Sequence, residues 1–365
     1  GIGDESGNTA FGNSLRNFTV DVGVGNPGAF GVDYIGNNQG MVNNITLKAG
    51  ANSGAVGMRC TNGSPGPCLL KNITVQGFGT GVAAGFGTQY SVVLEHLRLS
   101  GQRDQAFAAT GSPVSVRDLQ SNNTCPAVTV DRPDGSLVLI DSQLNGGSSS
   151  NSAIVYRSPV VLRNVSSTGY GNLARQADSG AVLAGPNVSE YVSSPAFSLF
   201  PSAARTLNLP IEEAPVYSNE DLSKWVKVGP PLTHNEGGSQ IQAAIDQANS
   251  EGKDTVYIPW IGKSAYRIGT QIRVYGTVRR IIGMGQNFNT QWNDLINNGL
   301  PVFVIDNISG PDVTLENFTV AHGGNGPVFE QRTTKSLVLR SITLWDGKAY
   351  RNTTTGGKLF VEDMA

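Results

Sequence analysis

The sequence has few charged residues and no long apolar run. Asp, Glu, Lys and Arg make up 15% of the 365 residues, and the formal net charge is −2. A chain without a basic patch lacks the electrostatic footprint of a nucleic-acid-binding protein, so we expect no nucleic acid as partner. No stretch approaches roughly 18 consecutive apolar residues, so we expect no membrane span.

Cysteine and histidine are also sparse, with three of each. Cys60 and Cys68 flank the turn 61–67 and form either a disulfide or two free thiols, with Cys125 left over. The histidines are scattered along the chain, at His96, His234 and His322. Their spacing matches no zinc or other metal site, so the sequence predicts neither metal nor cofactor.

What the sequence has in excess is glycine, with 46 residues, and one repeated phrase. The phrase reads apolar, any, Asn or Asp, apolar, any, apolar, and is clearest at 15–20, 42–47 and 70–75. Its third position recurs every 22 to 28 residues at Asn17, Asn44, Asn72, His96, Asp118, Asp141 and Asn164, and again at Asn317, Ser341 and Asp363. Such a period with short strand-like phrases predicts a solenoid.

The phrase also predicts the shape of one repeat. Strict alternation would put Asn17 inside with Leu15, yet Phe18 and Val20 take the inward phase instead. A slip of this kind indicates a bend at the third position, where Asn and Asp tolerate the left-handed backbone region. Stacked in successive coils, such residues can form a side-chain ladder. The fold predicted is all-β, a parallel β-helix.

The repeat is interrupted once. We predict a first β-helical unit over 1–190 without an N-terminal cap, a Pro/Ser-rich connection over 191–235, and a second unit over 236–365 whose C-terminal coils are missing. One short helix, 239–251, opens the second unit and caps it with an apolar stripe of Ile, Ala, Ile and Ala. Uncapped ends indicate either a fragment of a longer protein or stacking on other copies.

The segment 237–246 (GGSQIQAAID), followed by 255–259 (TVYIP) and 266–268 (YRI), resembles the opening of pectate-lyase-superfamily β-helices. Two units, the second opening in this way, resemble the β-1,3-glucanases of glycoside hydrolase family 55. This resemblance implies a right-handed parallel β-helix and a hydrolase of β-1,3-glucan or a related polysaccharide. It further implies inverting catalysis by a Glu general acid and a water. The low charge, the long polar surface and the β-helix fold favour an extracellular protein.

A glycosidase needs two carboxyl groups about 5–9.5 Å apart, and the second unit offers several acids. Glu316 and Glu362 occupy one outward slot two coils apart, about 10 Å, with Arg340 between them. They form either a carboxylate pair in a sugar groove or a solvated Glu–Arg–Glu stripe. Glu330 and Asp346 lie in or next to loops and are the first candidates for catalysis.

Aromatic side chains in second-unit turns are candidates for sugar stacking, at Trp260, Trp292, Trp345 and Tyr350. Each could instead anchor its own loop.

The sequence contains ten Asn-x-Ser/Thr sequons. Five coincide with the bend position, at Asn17, Asn44, Asn72, Asn164 and Asn317, so the repeat explains them. The other five are candidate glycosylation sites in a eukaryotic secretory host, at Asn62, Asn122, Asn187, Asn307 and Asn352.

Two functions of different class therefore remain. The first is a secreted or cell-surface glycoside hydrolase with a polysaccharide as partner. The second is a non-catalytic structural or adhesive solenoid that self-associates end to end through uncapped β-helix ends.

Overall fold

The computed structural model describes residues 10–63, 65–87, 90–194, 199–230, 237–262, 266–290, 298–345 and 347–365. It consists mostly of strands stacked as coils of a parallel β-helix, about 14 turns in all, which confirms the predicted fold class. The chain divides into two compact units, Gly1–Leu209 and Pro210–Ala365. The division falls inside the segment interpreted as a connection, 191–235.

The first unit contains sixteen strands within the described residues. They are β1 (Phe11–Asp21), β2 (Phe30–Asp33), β3 (Asn37–Lys48), β4 (Val56–Cys60), β5 (Cys68–Gln76), β6 (Thr80–Ala84), β7 (Val92–Ser100), β8 (Gln105–Ala109), β9 (Pro113–Asn123), β10 (Val128–Val130), β11 (Ser136–Gly146), β12 (Ser152–Tyr156), β13 (Val160–Ser167), β14 (Asn172–Gln176), β15 (Val182–Leu183) and β16 (Asn187–Val192).

These strands form two sheets that the chain visits in alternation. Sheet A has the order β1-β3-β5-β7-β9-β11-β13-β16, and sheet B has the order β2-β4-β6-β8-β10-β12-β14-β15. All neighbours are parallel except the last pair in each sheet, where β16 and β15 run antiparallel. Each coil therefore contributes one strand to each sheet, as a β-helix requires.

The second unit opens with strand β17 (Trp225–Lys227) and helix α1 (Gly237–Glu251). A short 3-10 helix (Leu222–Lys224) precedes β17. The later strands are β18 (Thr255–Ile258), β19 (Tyr266–Arg267), β20 (Ile272–Gly276), β21 (Arg280–Asn289), β22 (Phe303–Ile308), β23 (Asp312–Ala321), β24 (Pro327–Gln331), β25 (Ser336–Trp345), β26 (Lys348–Asn352) and β27 (Leu359–Met364).

Two parallel sheets again alternate along the chain. Sheet C has the order β17-β18-β21-β23-β25-β27, with β19 also paired to β21, and sheet D has the order β20-β22-β24-β26. Helix α1 packs against β17, β18, β19 and β20 through a buried stripe of Ile241, Ala244, Ile245 and Ala248. The helix begins two residues before the predicted Ser239, and Gly252 in the left-handed region (φ 63°) follows its end.

Register explains why the phrase repeats. Its first apolar position stacks directly in sheet A, from Leu15 through Val42 to Leu70 and onward, and Leu315 stacks on Leu339 in sheet C. These side chains are inward, and most are fully buried. In the second unit four phenylalanines, Phe288, Phe303, Phe318 and Phe329, stack with ring centroids 4.9 to 6.2 Å apart.

The bend at the third position is confirmed. Every one of the ten positions has a positive φ between 49° and 63°: Asn17, Asn44, Asn72, His96, Asp118, Asp141, Asn164, Asn317, Ser341 and Asp363. The side-chain ladder forms in parts of the stack. Asn44 Nδ2 donates to Asn17 Oδ1 (2.8 Å), but Asn72 Nδ2 donates to Asn43, one residue from the ladder position.

A β-branched residue at such a bend is expected to be costly. Asn72 has φ 56°, so Asn72→Val should lower the free energy of unfolding by about 1–3 kcal/mol, measured by urea denaturation. Asn72→Gly is the matched control. It loses the same hydrogen bond to Asn43, but glycine adopts a positive φ without strain. Equal losses in the two variants would mean that the conformation does not limit the choice of residue.

Candidate functional site

The outward positions of sheet D carry the nominated Glu330 and several arginines. Arg273, Val304, Glu330 and Arg351 form one row of register across β20, β22, β24 and β26. Their strand neighbours, such as Phe303 and Phe329, belong to the buried core. Because side chains alternate along a strand, this row points away from the core.

Glu330 lies at the centre of this row and is held by two arginines. Its side chain is only 2% exposed. Oε1 accepts from Arg332 Nε, and Oε2 accepts from Arg351 Nε (2.6 Å) and Nη2. Burial by itself would raise the pKa of Glu330, but the bonds and charges of Arg351 and Arg332 outweigh it and lower the pKa. Glu330 is therefore a carboxylate at neutral pH, which is unsuited to donating a proton.

A loop anchored by His322 precedes the strand that carries Glu330. His322 is fully buried, with Nε2 donating to Gly326 O (3.1 Å) and Nδ1 accepting from Thr290 Oγ1 (2.6 Å), a tautomer assigned from these partners. Burial lowers the pKa of His322, although its bond to Gly326 acts in the opposite direction. The neutral imidazole thus links the segment between β23 and β24 to Thr290 by hydrogen bonds.

The predicted Glu–Arg–Glu row lies on sheet C. Glu316 pairs in register with Arg340, and Arg340 with Glu362. Arg340 Nη1 lies 3.5 Å from Glu316 Oε2, and Arg340 Nε donates to Glu362 Oε2 (2.6 Å). Arg280 Nε adds a bond to Glu316 Oε1 (2.7 Å). The three predicted residues meet as expected, but as a mostly buried ion-pair network, not as a solvated stripe.

The nominated aromatic residues differ in exposure. Trp260 is 61% exposed and Trp345 63% exposed, so both rings are open to solvent. Tyr350 is half-buried against the core, its hydroxyl donates to Gln331 Oε1 (2.6 Å), and burial raises its pKa. Tyr350 is thus placed as an anchor. Trp292 and Asp346 lie outside the described residues.

The two exposed tryptophans stand on coils three steps apart in sheet C. Trp260 follows β18 directly after Pro259, and Trp345 ends β25, with β21 and β23 between those strands. At about 4.8 Å per coil, this is an axial separation of about 14 Å.

Arg332 and Arg351 are the functional candidates that sequence reasoning missed. Both are about half exposed, and both touch the nominated Glu330. The signal was available: Arg351 follows Glu330 by 21 residues, close to the repeat period, and Arg332 follows it by two, directly after β24.

Cys60 and Cys68 are buried thiols in the structure, with their sulfur atoms 4.0 Å apart. Their mutual hydrogen bond and burial hold the pKa of Cys60 well above its usual value. The disulfide stays a prediction. In an oxidising medium we expect it to form and to stabilise the fold by about 2–3 kcal/mol through closure of a short loop.

The cysteine prediction is tested by mass spectrometry of oxidised protein after alkylation. A peptide linking Cys60 to Cys68, with Cys125 alkylated on unfolding, is the expected result. Recovery of all three as alkylated cysteines after air oxidation would contradict it. Cys125→Ala is the control variant, which should leave the linkage unchanged.

The five sequons that do not coincide with a bend position lie at or near the surface. Asn122, Asn187, Asn307 and Asn352 are exposed, and Asn62 is half-buried with its Nδ2 donating to Asp33. The bend asparagines also face outward, so their geometry leaves the side chains accessible at Asn17, Asn44, Asn72 and Asn164.

Within the described residues, no helix has the length and apolarity needed to cross a membrane.

No protein-family model matches the chain, and a search of curated proteins also finds no match.

Proposed function

We propose that this chain belongs to an extracellular carbohydrate-active protein that binds β-1,3-glucan or a related polysaccharide along its second unit. The observation that carries the proposal is the pair of solvent-open rings at Trp260 and Trp345. Large aromatic rings open to solvent suit the apolar faces of sugar rings. They lie on one β-helical unit whose regular coils offer a long, repetitive surface.

Hydrolysis is the proposed reaction, by carboxylic general acid/base catalysis as in the two-unit β-1,3-glucanases that the sequence resembles. The ion pairs reduce the number of nominated residues that can act as the general acid. Glu330, Glu316 and Glu362 are each bonded to arginine and mostly buried. Asp346 directly follows the exposed Trp345 in sequence, and it is the acid that we propose for catalysis.

The test is reducing-sugar release by the folded chain on β-1,3-, β-1,4- and uronic-acid-containing polysaccharides. Glucose from the β-1,3-glucan alone is the expected result, and Asp346→Asn should abolish it. Trp345→Ala should weaken glucan binding about tenfold, because an aromatic contact contributes about 1–1.5 kcal/mol. Phe200→Ala, which removes another exposed ring from the first unit, is the control. Unchanged binding by Trp345→Ala would refute the assigned surface.

A non-catalytic structural or adhesive solenoid is the second candidate. The observation that favours it is the involvement of every described nominated acid in arginine pairs. Folded protein that releases sugar from no polymer, and that forms filaments in electron micrographs, would support this function instead.

We propose an extracellular location for either function. Expression in a eukaryotic secretory host, with the mobility of the secreted chain compared before and after endoglycosidase treatment, tests both secretion and use of the exposed sequons. Retention of the whole chain inside the cell would count against the location.

A further inference from the structure

Within the residues that the structure describes, two clusters have a carboxylate between two arginines. In sheet C, Glu316 lies between Arg280 and Arg340, whose side chains are 15% and 9% exposed. In sheet D, Glu330 lies between Arg332 and Arg351, whose side chains are 47% and 50% exposed. The charge pattern is the same, but only the sheet D arginines face solvent.

The exposed guanidinium groups keep most of their donors. Arg332 uses Nε, and Arg351 uses Nε and Nη2, on Glu330. An arginine side chain has five N–H donors, so each retains several. Within the described part of the chain, neither guanidinium makes another side-chain bond. Two planar cations, each about half exposed, are thus held at one carboxylate with unused donors.

Glu330 fixes the positions of both cations. Arg332 is bonded to Oε1 and Arg351 to Oε2, so one buried carboxylate holds both guanidinium groups. A flexible surface arginine loses side-chain entropy when it binds a ligand, whereas these two are already ordered by a buried carboxylate.

The charge of the face also favours an anion. Arg273 pairs with Asp306 across the same sheet, with Arg273 Nη2 3.1 Å from Asp306 Oδ2. Among the described residues of these ion pairs, three arginines, Arg273, Arg332 and Arg351, face two carboxylates, Asp306 and Glu330, so the group has a net charge of +1. That charge lies on the outward, half-exposed guanidinium pair.

We propose that Arg332 and Arg351 form a binding site for an oxyanion on a polysaccharide, either the carboxylate of an acidic sugar or a sulfate ester. Arginine recognises both groups by parallel, charge-assisted hydrogen bonds. The polysaccharide carrier rests on the proposed function, but the anion site stands on the sheet D geometry alone. Glu330 acts here as a positioning residue, not as a catalytic residue.

The test compares one glucan backbone in three states: unmodified, carboxymethylated and sulfated β-1,3-glucan. Each is titrated into the full chain by isothermal titration calorimetry at low and high salt. We expect the charged forms to bind about tenfold or more tightly than the unmodified form, with a preference that declines as salt rises. A preference for the carboxymethyl form identifies a carboxylate ligand, and a preference for the sulfated form identifies a sulfate ester.

The variants Arg332→Gln and Arg351→Gln each remove one cation and leave Glu330 with the other. Each should lose most of the preference for the charged form. The double variant Arg332→Lys/Arg351→Lys keeps both charges but lacks the planar donors, so its preference should fall while the protein stays folded, as checked by circular dichroism.

The matched control is Arg132→Gln/Arg157→Gln. These arginines are 52% and 51% exposed and pair with Asp134 and Asp178 in the first unit. This variant changes net charge at two exposed sites of the first unit and should retain the preference. Equal affinity for all three glucans, or a preference that survives in both single variants, would overturn the proposal.

Dextran and carboxymethyl-dextran separate this proposal from the glucanase function. A preference for carboxymethyl-dextran that depends on Arg332 and Arg351 would support the anion site even if β-1,3-glucan is neither bound nor cut. Hydrolysis of unmodified β-1,3-glucan without any preference for charged forms would support the proposed function and refute the anion site.

Discussion

Replacing Glu316 by alanine is expected to lower the free energy of unfolding by about 3–5 kcal/mol. The Glu316 side chain is 1% exposed and is bonded to Arg280 and paired with Arg340. Without the carboxylate, Arg280 would be left as a largely buried cation, which costs more than the ion pair itself contributed. Urea denaturation followed by circular dichroism measures the loss.

Asp134→Ala is the matched control for Glu316→Ala. It also removes the carboxylate partner of an arginine, Arg132, but that pair is exposed to solvent. An exposed pair contributes about 0–1 kcal/mol, so the free energy of unfolding of this variant should be close to that of the parent. Equal losses of stability in the two variants would mean that the sheet C network contributes no more than an exposed ion pair.

Replacing Phe303 by alanine is expected to cost about 3–5 kcal/mol, the second large effect. Its ring centroid lies 5.5 Å from that of Phe329, 5.7 Å from Phe318 and 6.2 Å from Phe288, and the side chain is fully buried. Removal leaves a cavity in the middle of a stack that links four strands, β21 to β24. Because rigid strands above and below limit collapse, the cavity should persist.

Met284→Ala is the control for Phe303→Ala. Met284 lies in the same unit but is 53% exposed, so its truncation should stay within about 0.5 kcal/mol of the parent. A loss below about 1 kcal/mol in Phe303→Ala would show that the aromatic stack repacks and is not a continuous core.

The repeat predicted the fold well because stacking is local and in register. Once Leu15 was assigned inward and Asn17 to a bend, every later coil repeated the same geometry, and φ is positive at all ten bend positions. The same logic predicts that Arg340 lies between Glu316 and Glu362, as the register of sheet C has it. In a parallel stack, counting residues along the chain is equivalent to locating neighbours in space.

The candidate site was harder to predict, since register does not reveal burial. Glu316 was interpreted as part of a solvated stripe or of a sugar groove, and it is instead almost fully buried. Tyr350 and Trp345 are both stacking candidates by sequence. Tyr350, however, lies in register with the core residue Phe329. Trp345 is the last residue of β25 and is exposed. Helix α1 begins two residues early because glycines can enter a helix that packs closely against Tyr266 and Thr270.

The antiparallel strands β15 and β16 restrict how this protein can change length. A duplicated coil inserted between β7 and β9 would meet parallel edges on both sides and could copy their hydrogen-bond pattern. Beyond β16 the edge runs in the opposite direction, so the same copy would find no matching template. Gene duplication or engineering should therefore lengthen the first unit by whole coils of about 4.8 Å inserted between existing coils. The bend residues mark where one coil can be joined to the next.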